Sequence, residues 1–233
     1  MFFKKRKSKN LSQNQRMHLL NKGAGFLRQH KFEEANRCLD EILELNANDS
    51  TAWHLKGTVF MVSNNFEEAL SCLERALDIN SKNADAWQRR GEILWRFGKY
   101  QEALKSCNES LKVDSDNYMA FFNKGRSLMG LKKNMEAIGA YDKSLNIKPD
   151  YSDAWFFKGL VLILLEKNDE SLECLEKALT LSPENANIWH GKGLAFEKLG
   201  KYEEALKCYN KALELDPNLQ VAKKNRENLC SKS

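Results

Sequence analysis

Proline is scarce in this chain, which has only three in 233 residues, and long apolar runs are missing as well. No stretch approaches the about 18 consecutive apolar residues of a membrane-spanning helix. The first ten residues also lack the apolar core of a secretory signal. These absences disfavour a membrane protein and a secreted one, and we expect a soluble chain in the cytoplasm.

The sequence also lacks the residue patterns of common catalytic and metal sites. Its four histidines, His18, His30, His54 and His190, form no His-Glu-x-x-His pair, and no glycine precedes a Gly-Lys-Ser or Gly-Lys-Thr phosphate loop. Pairs of glutamates recur where second helices are expected to begin, and the helix dipole accounts for negative charge there. The sequence therefore predicts no enzyme, no cofactor and no metal site.

The net charge of +5 comes from one short segment. Five of the 37 basic residues lie within the first ten positions, namely Lys4, Lys5, Arg6, Lys7 and Lys9. The other 32 balance the 32 acidic residues. Phosphate binding needs clustered Lys and Arg, so nucleic-acid binding by the rest of the chain is disfavoured. We interpret residues 1–15 as a basic, disordered, solubilising tail, with weak contact to anionic lipid or nucleic acid as the alternative.

Glycine recurs at a fixed interval of 34 residues, at Gly23, Gly57, Gly91, Gly125, Gly159 and Gly193. Other residue types keep the same interval. Four residues before each glycine stand Leu19, Trp53, Trp87, Phe121, Trp155 and Trp189. The three prolines each follow one of the last three glycines by 24 residues. A period of this size indicates an array of stacked structural repeats.

Within each period the apolar residues return every three or four positions in two runs. This spacing predicts two amphipathic helices of roughly 12 to 14 residues joined by a short turn, such as the one around Gly98. Two helices that pack at about 8–10 Å need small side chains at their closest point. The repeated glycine, and the alanine or serine that follows it by twelve residues, meet this need.

Four of the six cysteines share one position, fifteen residues after the repeated glycine: Cys38, Cys72, Cys174 and Cys208. The other repeats have serine or alanine there, so this is a small packing position. Equivalent positions in neighbouring repeats lie about 10 Å apart, which is too far for a disulfide or a shared metal. We expect buried, reduced thiols.

These residues resemble the tetratricopeptide repeat, whose 34-residue pattern has Trp, Leu-Gly, Tyr, Ala, Phe and Pro. The resemblance implies an all-α, right-handed solenoid of antiparallel helix pairs. Six repeats are predicted at 16–49, 50–83, 84–117, 118–151, 152–185 and 186–219, followed by a capping helix over 220–233 with Ala222 and Leu229 facing inward. The sequence departs from the pattern because Lys or Arg replaces the leucine before each glycine, and because repeats 1 to 3 lack the proline.

Some members of the resembled family bind the C-terminal carboxylate of chaperones through a clamp of five side chains. Repeats 1 to 3 offer Leu20, Ala24, Leu55, Asp85 and Arg89 at the clamp positions, so only Arg89 fits. Registers starting at later repeats fit no better. Chaperone-tail binding of this kind is therefore disfavoured.

The resemblance implies that the first helix of each repeat lines a concave groove. At the groove positions, repeat 3 is polar with one aromatic, Trp95, whereas repeat 5 is apolar almost throughout. Exposed apolar patches on soluble proteins mark interaction sites. We predict a non-catalytic scaffold or adaptor that binds a peptide or helix bearing apolar and acidic residues. The predicted apolar anchor is Phe122, Phe156, Phe157, Leu160 and Leu164, with Arg89, Arg96 and Arg126 beside it.

Three alternatives remain open. Superhelical curvature, or side chains such as Lys198, can cover the apolar groove residues without a partner. The apolar face of repeat 5 can meet a second copy of the chain, which gives a self-associating array. Nucleic-acid binding through the basic tail is less favoured, because the repeats are neutral.

Overall fold

The computed structural model describes residues 12–231, which contain thirteen α-helices and no β-strand. The chain divides into two compact units, Met1–Ser115 and Asp116–Ser233, and consecutive helices pack in pairs within each. The predicted all-α fold of antiparallel helix pairs is confirmed. The five basic residues of the predicted tail, at positions 4 to 9, lie outside the described residues.

The first unit contains three helix pairs. Its helices are α1 (Gln13–Arg28), α2 (Phe32–Leu45), α3 (Ser50–Val62), α4 (Phe66–Ile79), α5 (Ala84–Arg96) and α6 (Tyr100–Val113). The repeat pattern counts from residue 16, but α1 begins three residues earlier, at Gln13. Ser12 and Gln15 form a capping box there, in which each side chain bonds the other's backbone N–H group, and this adds almost a turn to the helix.

The second unit contains three further pairs and a last single helix. Its helices are α7 (Tyr118–Gly130), α8 (Asn134–Ile147), α9 (Ser152–Leu164), α10 (Asn168–Leu181), α11 (Ala186–Lys198), α12 (Tyr202–Leu215) and α13 (Gln220–Cys230). Helix α13 packs against α12 and buries Ala222 and Leu229. It leaves Lys223 and Glu227 exposed, as expected for the outer side of a capping helix.

Most first helices begin at a short polar side chain. Asp49, Asn83, Asn117 and Asn185 accept a hydrogen bond from a backbone N–H group in the first turn of α3, α5, α7 and α11. Helix α9 is the exception, because Tyr151 occupies the capping position and makes no such bond.

The turn within each helix pair has one residue with positive φ. Glycine supplies it at Gly98 and Gly200, both with φ of 72°. In the other pairs His30, Asn64, Lys132 and Glu166 adopt φ of 57° to 62° at the same register. Glycine adopts this conformation without strain, which explains the Gly-Lys sequence at two of the six turns.

In repeats 2, 3, 5 and 6 the basic residue before the repeated glycine, a departure from the tetratricopeptide pattern, binds the preceding repeat. It forms an ion pair with an acidic residue sixteen positions earlier, in Lys56–Asp40, Arg90–Glu74, Lys158–Asp142 and Lys192–Glu176. The same cation lies 5.6 to 5.9 Å from the centre of the tryptophan ring one turn earlier in its own helix. Each pair therefore ties the second helix of one repeat to the first helix of the next.

Candidate binding face

Helix α9 has apolar side chains on all of its faces, and its neighbours cover only some of them. It packs against α10, α8 and α11 and contacts α7. Ala154, Gly159, Val161 and Leu162 are buried by these contacts. The apolar side chains left over are Trp155, Phe156, Phe157, Leu160 and Ile163, which are half-buried, and Leu164, which is 62% exposed.

Leu164 is the most exposed apolar side chain that the sequence analysis placed in the groove. Its neighbours at the same register, 34 residues away, are Gly130 on α7 and Lys198 on α11. Equivalent positions on adjacent first helices lie about 10 Å apart. Gly130 has no side chain to cover Leu164, and Lys198 is itself exposed. The proposed covering of Leu164 by Lys198 is therefore not observed.

We use the name α9 face for Phe157, Leu160 and Leu164. These residues lie at successive turns of one side of α9. Phe156 belongs elsewhere, because it packs against the core of repeats 5 and 6, which includes Leu175 and Ile188. A Cβ atom on Gly191 would lie 3.3 Å from the Phe156 ring and 3.5 Å from Leu160 Cδ2, so both side chains touch α11, but Leu160 does not belong to that core.

The position of Phe122 contradicts the sequence prediction, which placed this residue in the open groove. It is only 4% exposed. Tyr151 packs edge-on against it at 5.0 Å between ring centres, and Phe157 does so at 5.5 Å. Tyr151 is the residue that replaces an Asn or Asp cap at the start of α9. The break in the capping register was the sequence signal for this burial, and it was missed.

Arg126 is also more enclosed than the sequence suggested. It is 9% exposed, and its guanidinium lies 5.4 Å from the ring centre of Phe122 and 5.5 Å from that of Phe157. Its Nη1 donates a 3.4 Å hydrogen bond to the Asn123 side chain. Arg126 therefore stacks within an aromatic cluster made of Phe122, Tyr141, Tyr151 and Phe157. The sequence had instead placed Arg126 on the surface.

The remaining predicted site residues, Arg89, Trp95 and Arg96, belong to the first unit. Arg89 and Trp95 are half-buried on α5, although the sequence suggested an exposed tryptophan. Arg96 is exposed, lies 5.0 Å from the ring centre of Phe66 and pairs with Glu92 at 3.6 Å. Of these three, Arg96 is the most accessible to a partner.

Two tyrosines occupy equivalent positions on α8 and α12 but differ in hydrogen bonding. The Tyr209 hydroxyl donates a 2.6 Å hydrogen bond to Glu197 Oε2 on α11. At the position that corresponds to Glu197, repeat 4 has Met129, and the fully buried Tyr141 hydroxyl has no hydrogen-bond partner. Burial raises the pKa of Tyr141, so its hydroxyl stays protonated.

We expect Tyr141→Phe and Tyr209→Phe to change stability differently. Removing the unpaired Tyr141 hydroxyl relieves a desolvation penalty, so its variant should be as stable as the parent or more so. Tyr209→Phe should lower the free energy of unfolding by about 1.5 to 3 kcal/mol, because it breaks a hydrogen bond to a charged group. Urea denaturation of the full chain measures both. Equal losses in the two variants would contradict this difference.

The four cysteines of the repeated register are buried and form no disulfide, as the sequence predicts. Burial raises the pKa of all four thiols, and that of Cys72 rises to about 11. They are therefore poor nucleophiles at neutral pH. Cys230 differs, because it is exposed at the end of α13.

Between residues 12 and 231, no three His, Cys, Asp or Glu side chains form a group that could hold a metal ion. No helix in this range combines the length and the apolar character needed to cross a bilayer.

The chain matches models of one repeat family over much of its length. Tetratricopeptide repeat models match residues 54–120 and 186–219, and a TPR repeat model matches residues 159–200. No curated protein matches the chain.

Solved structures share the fold at low sequence identity. The pilF protein of Pseudomonas aeruginosa is 18% identical, with 92% of this chain and 98% of that chain covered and a TM-score of 0.80. YrrB, a TPR protein with an unusual peptide-binding site, is 21% identical, with 81% and 97% covered and a TM-score of 0.63. The APC/C hetero-tetramer Cut9-Hcn1 is 17% identical, with 93% and 43% covered and a TM-score of 0.82. Identities this low establish similarity of fold alone.

Proposed function

This chain belongs to the tetratricopeptide repeat proteins, and from that premise we propose that it is a non-catalytic, cytoplasmic scaffold that binds a peptide or helix of a partner protein. Proteins of this family typically act as interaction modules, and a similar structure is described as having a peptide-binding site. The contact we propose is the α9 face.

The exposure of Leu164 is the observation that carries this proposal. A helix that is apolar on every side is normally buried on every side, yet Leu164 is 62% exposed at the end of α9. Leu160 and Phe157, one and two turns away, are half-buried and extend the apolar strip. A partner that covers this strip would remove apolar surface from water, which favours binding.

The side chains around the α9 face indicate the chemistry of the partner. Apolar side chains would contact Leu160 and Leu164, and an acidic group would meet the exposed Lys198 on α11. Lys198 takes the place of Arg126, which the sequence had assigned to this role but which is enclosed in the aromatic cluster.

The proposal can be tested with a display library of random 12-residue peptides selected on the full chain. We expect enrichment of peptides that combine apolar with acidic residues. Leu164→Glu should weaken their binding at least about tenfold, which corresponds to about 1.4 kcal/mol. The reason is that it puts a charge where the partner buries an apolar group.

Met135→Glu is the matched control. Met135 is an apolar residue with 64% exposure on α8, so the same substitution there tests for a general effect of charge. Binding should stay within about twofold of the parent, as expected for a surface change outside the contact. Equal weakening by both variants, or no enriched peptide, would overturn the proposal. Concentration-dependent dimerisation lost in Leu164→Glu would instead support contact between copies of the chain.

A further inference from the structure

Helix α1 has one side that, in other first helices, a neighbouring second helix covers. Helices α3, α5, α9 and α11 each pack against the second helix of the preceding repeat. Within residues 12–231 no second helix precedes α1, which packs against α2 and contacts α3. We use the name α1 face for Leu19, Lys22 and Phe26, which lie at successive turns of this side.

Lys22 has the same position in its repeat as the lysines that pair with a preceding repeat. Its Nζ lies 5.8 Å from the ring centre of Phe26, four residues later. The corresponding distances are 5.9 Å for Lys56 and 5.8 Å for Lys192. Those two lysines are half-buried, whereas Lys22 is exposed and forms no ion pair with residues 12–231. Lys22 is therefore placed for the same ion pair but lacks the acidic group.

The residues before α1 do not provide that acidic group. In repeats 2 and 6 it is Asp40 or Glu176, sixteen positions before the lysine. Sixteen positions before Lys22 stands Arg6, which has the same charge as the lysine. Residues 1–11 contain no Asp or Glu at all. Another molecule is the remaining source of an acidic residue on a covering helix.

A second copy of the chain does not offer this arrangement, because its last second helix is already covered. Helix α13 packs against α12, and Arg226 Nη1 donates a 3.5 Å hydrogen bond to Asn210 Oδ1. These two residues are sixteen positions apart and correspond to Lys192 and Glu176 of the preceding pair. Helix α12 is therefore not open to a second copy, and it has an amide where α10 has a carboxylate.

We propose that the α1 face binds an amphipathic helix of a partner protein that carries an acidic residue. Helix α10 is the pattern for such a helix, because it covers the corresponding side of α11. It packs Leu175 and Leu179 into a core with Ile188 of α11. Between these leucines Glu176 pairs with Lys192 at 3.1 Å. The partner helix should therefore carry leucines one residue before and three residues after a glutamate.

The α1 face provides both kinds of contact on one side of the helix. Leu19 and Phe26 are half-buried against the core of the first repeat, so a partner helix would remove their remaining apolar surface from water. Lys22 lies between them and would pair with the acidic residue. Because an exposed ion pair contributes little affinity, we expect the apolar contacts to supply most of it and the ion pair to fix the register.

The probe for this face is a peptide of residues 165–185, which contains α10. A lactam bridge between Glu173 and Lys177, which are exposed and one turn apart, keeps the peptide helical. An NMR titration of the full chain with this peptide should shift the amide signals of α1, most strongly from Leu19 to Phe26.

Charge reversal tests the ion pair within this complex. Lys22→Glu should weaken peptide binding about fivefold, because attraction becomes repulsion. Glu176→Lys in the peptide should weaken binding to the parent chain by a similar factor. The variant chain and the variant peptide together should bind within about twofold of the original pair, because the charges are again opposite.

Arg28→Glu is the matched control. Arg28 is exposed on α1 but lies about 120° around the helix from Lys22, so its reversal should leave binding within about twofold. Leu164→Glu should also leave the binding of this peptide unchanged, which separates the α1 face from the α9 face.

Four results would overturn the proposal. The first is the absence of shifts in α1, or equal weakening by Lys22→Glu and Arg28→Glu. The second is binding lost in Leu164→Glu, which would place the peptide on the α9 face. The third is binding that requires removal of residues 1–11, which would assign the face to the chain's own tail. The fourth is concentration-dependent dimerisation lost in Lys22→Glu, which would assign it to a second copy.

Discussion

Replacing Gly125 with alanine should destabilise the second unit by about 3 kcal/mol, at the upper end of the range for overpacked cores. The reason is the close approach of α7 and α8. A Cβ atom on Gly125 would lie 2.5 Å from the ring of Tyr141, which is completely buried and has no room to move away. Denaturation by urea, monitored by circular dichroism, measures the loss.

Gly23 is the matched control for this substitution. It occupies the same register on α1, but a Cβ atom there would be 3.6 Å from the nearest atom, in ordinary contact with Leu39. Alanine favours a helix over glycine by about 1 kcal/mol, so Gly23→Ala should be neutral or stabilising. A Gly125→Ala variant as stable as Gly23→Ala would show that the close approach of the two helices does not fix the glycine period.

Phe122→Ala should also lower the free energy of unfolding of the second unit, by about 3 to 5 kcal/mol. Phe122 fills the space between Tyr151, Phe157 and Tyr141, and Arg126 stacks over it. Removing the ring leaves a cavity and takes away one of the aromatic rings on which the Arg126 guanidinium stacks. The unfolding transition of the second unit should therefore move to lower urea concentration.

Leu164→Ala provides the comparison for Phe122→Ala. Its side chain is 62% exposed, so truncation should change stability by no more than about 0.5 kcal/mol. The two residues, which the sequence groups in one anchor, would then separate into a core residue and a surface residue. Similar losses in both variants would contradict this assignment.

The 34-residue period was sufficient to predict the helix pairs, because each repeat packs its two helices in the same way. At positions 125 and 193 a tyrosine ring on the facing helix leaves room only for glycine. The two helices belong to the same repeat, so this contact is local in sequence. The fixed register also identified the buried cysteines. The period identifies such positions since their neighbours are set by the repeat itself.

The candidate site was only partly predictable, because exposure depends on single neighbours outside the repeat pattern. Tyr151 covers Phe122 at the expense of a helix cap, and Gly130 leaves Leu164 open. The basic residue before each glycine stood out as a departure from the family pattern. Its role became clear only with the ion pairs to the preceding repeat, such as Lys158–Asp142.

The most direct test of partner binding by the α9 face is a methyl NMR titration of the full chain with a peptide selected from the display library. Contact at this face predicts that the Leu160 and Leu164 methyl signals shift as peptide is added, while that of Met135 stays in place. Binding that leaves the Leu160 and Leu164 signals unchanged would contradict it and place the partner elsewhere on the molecule.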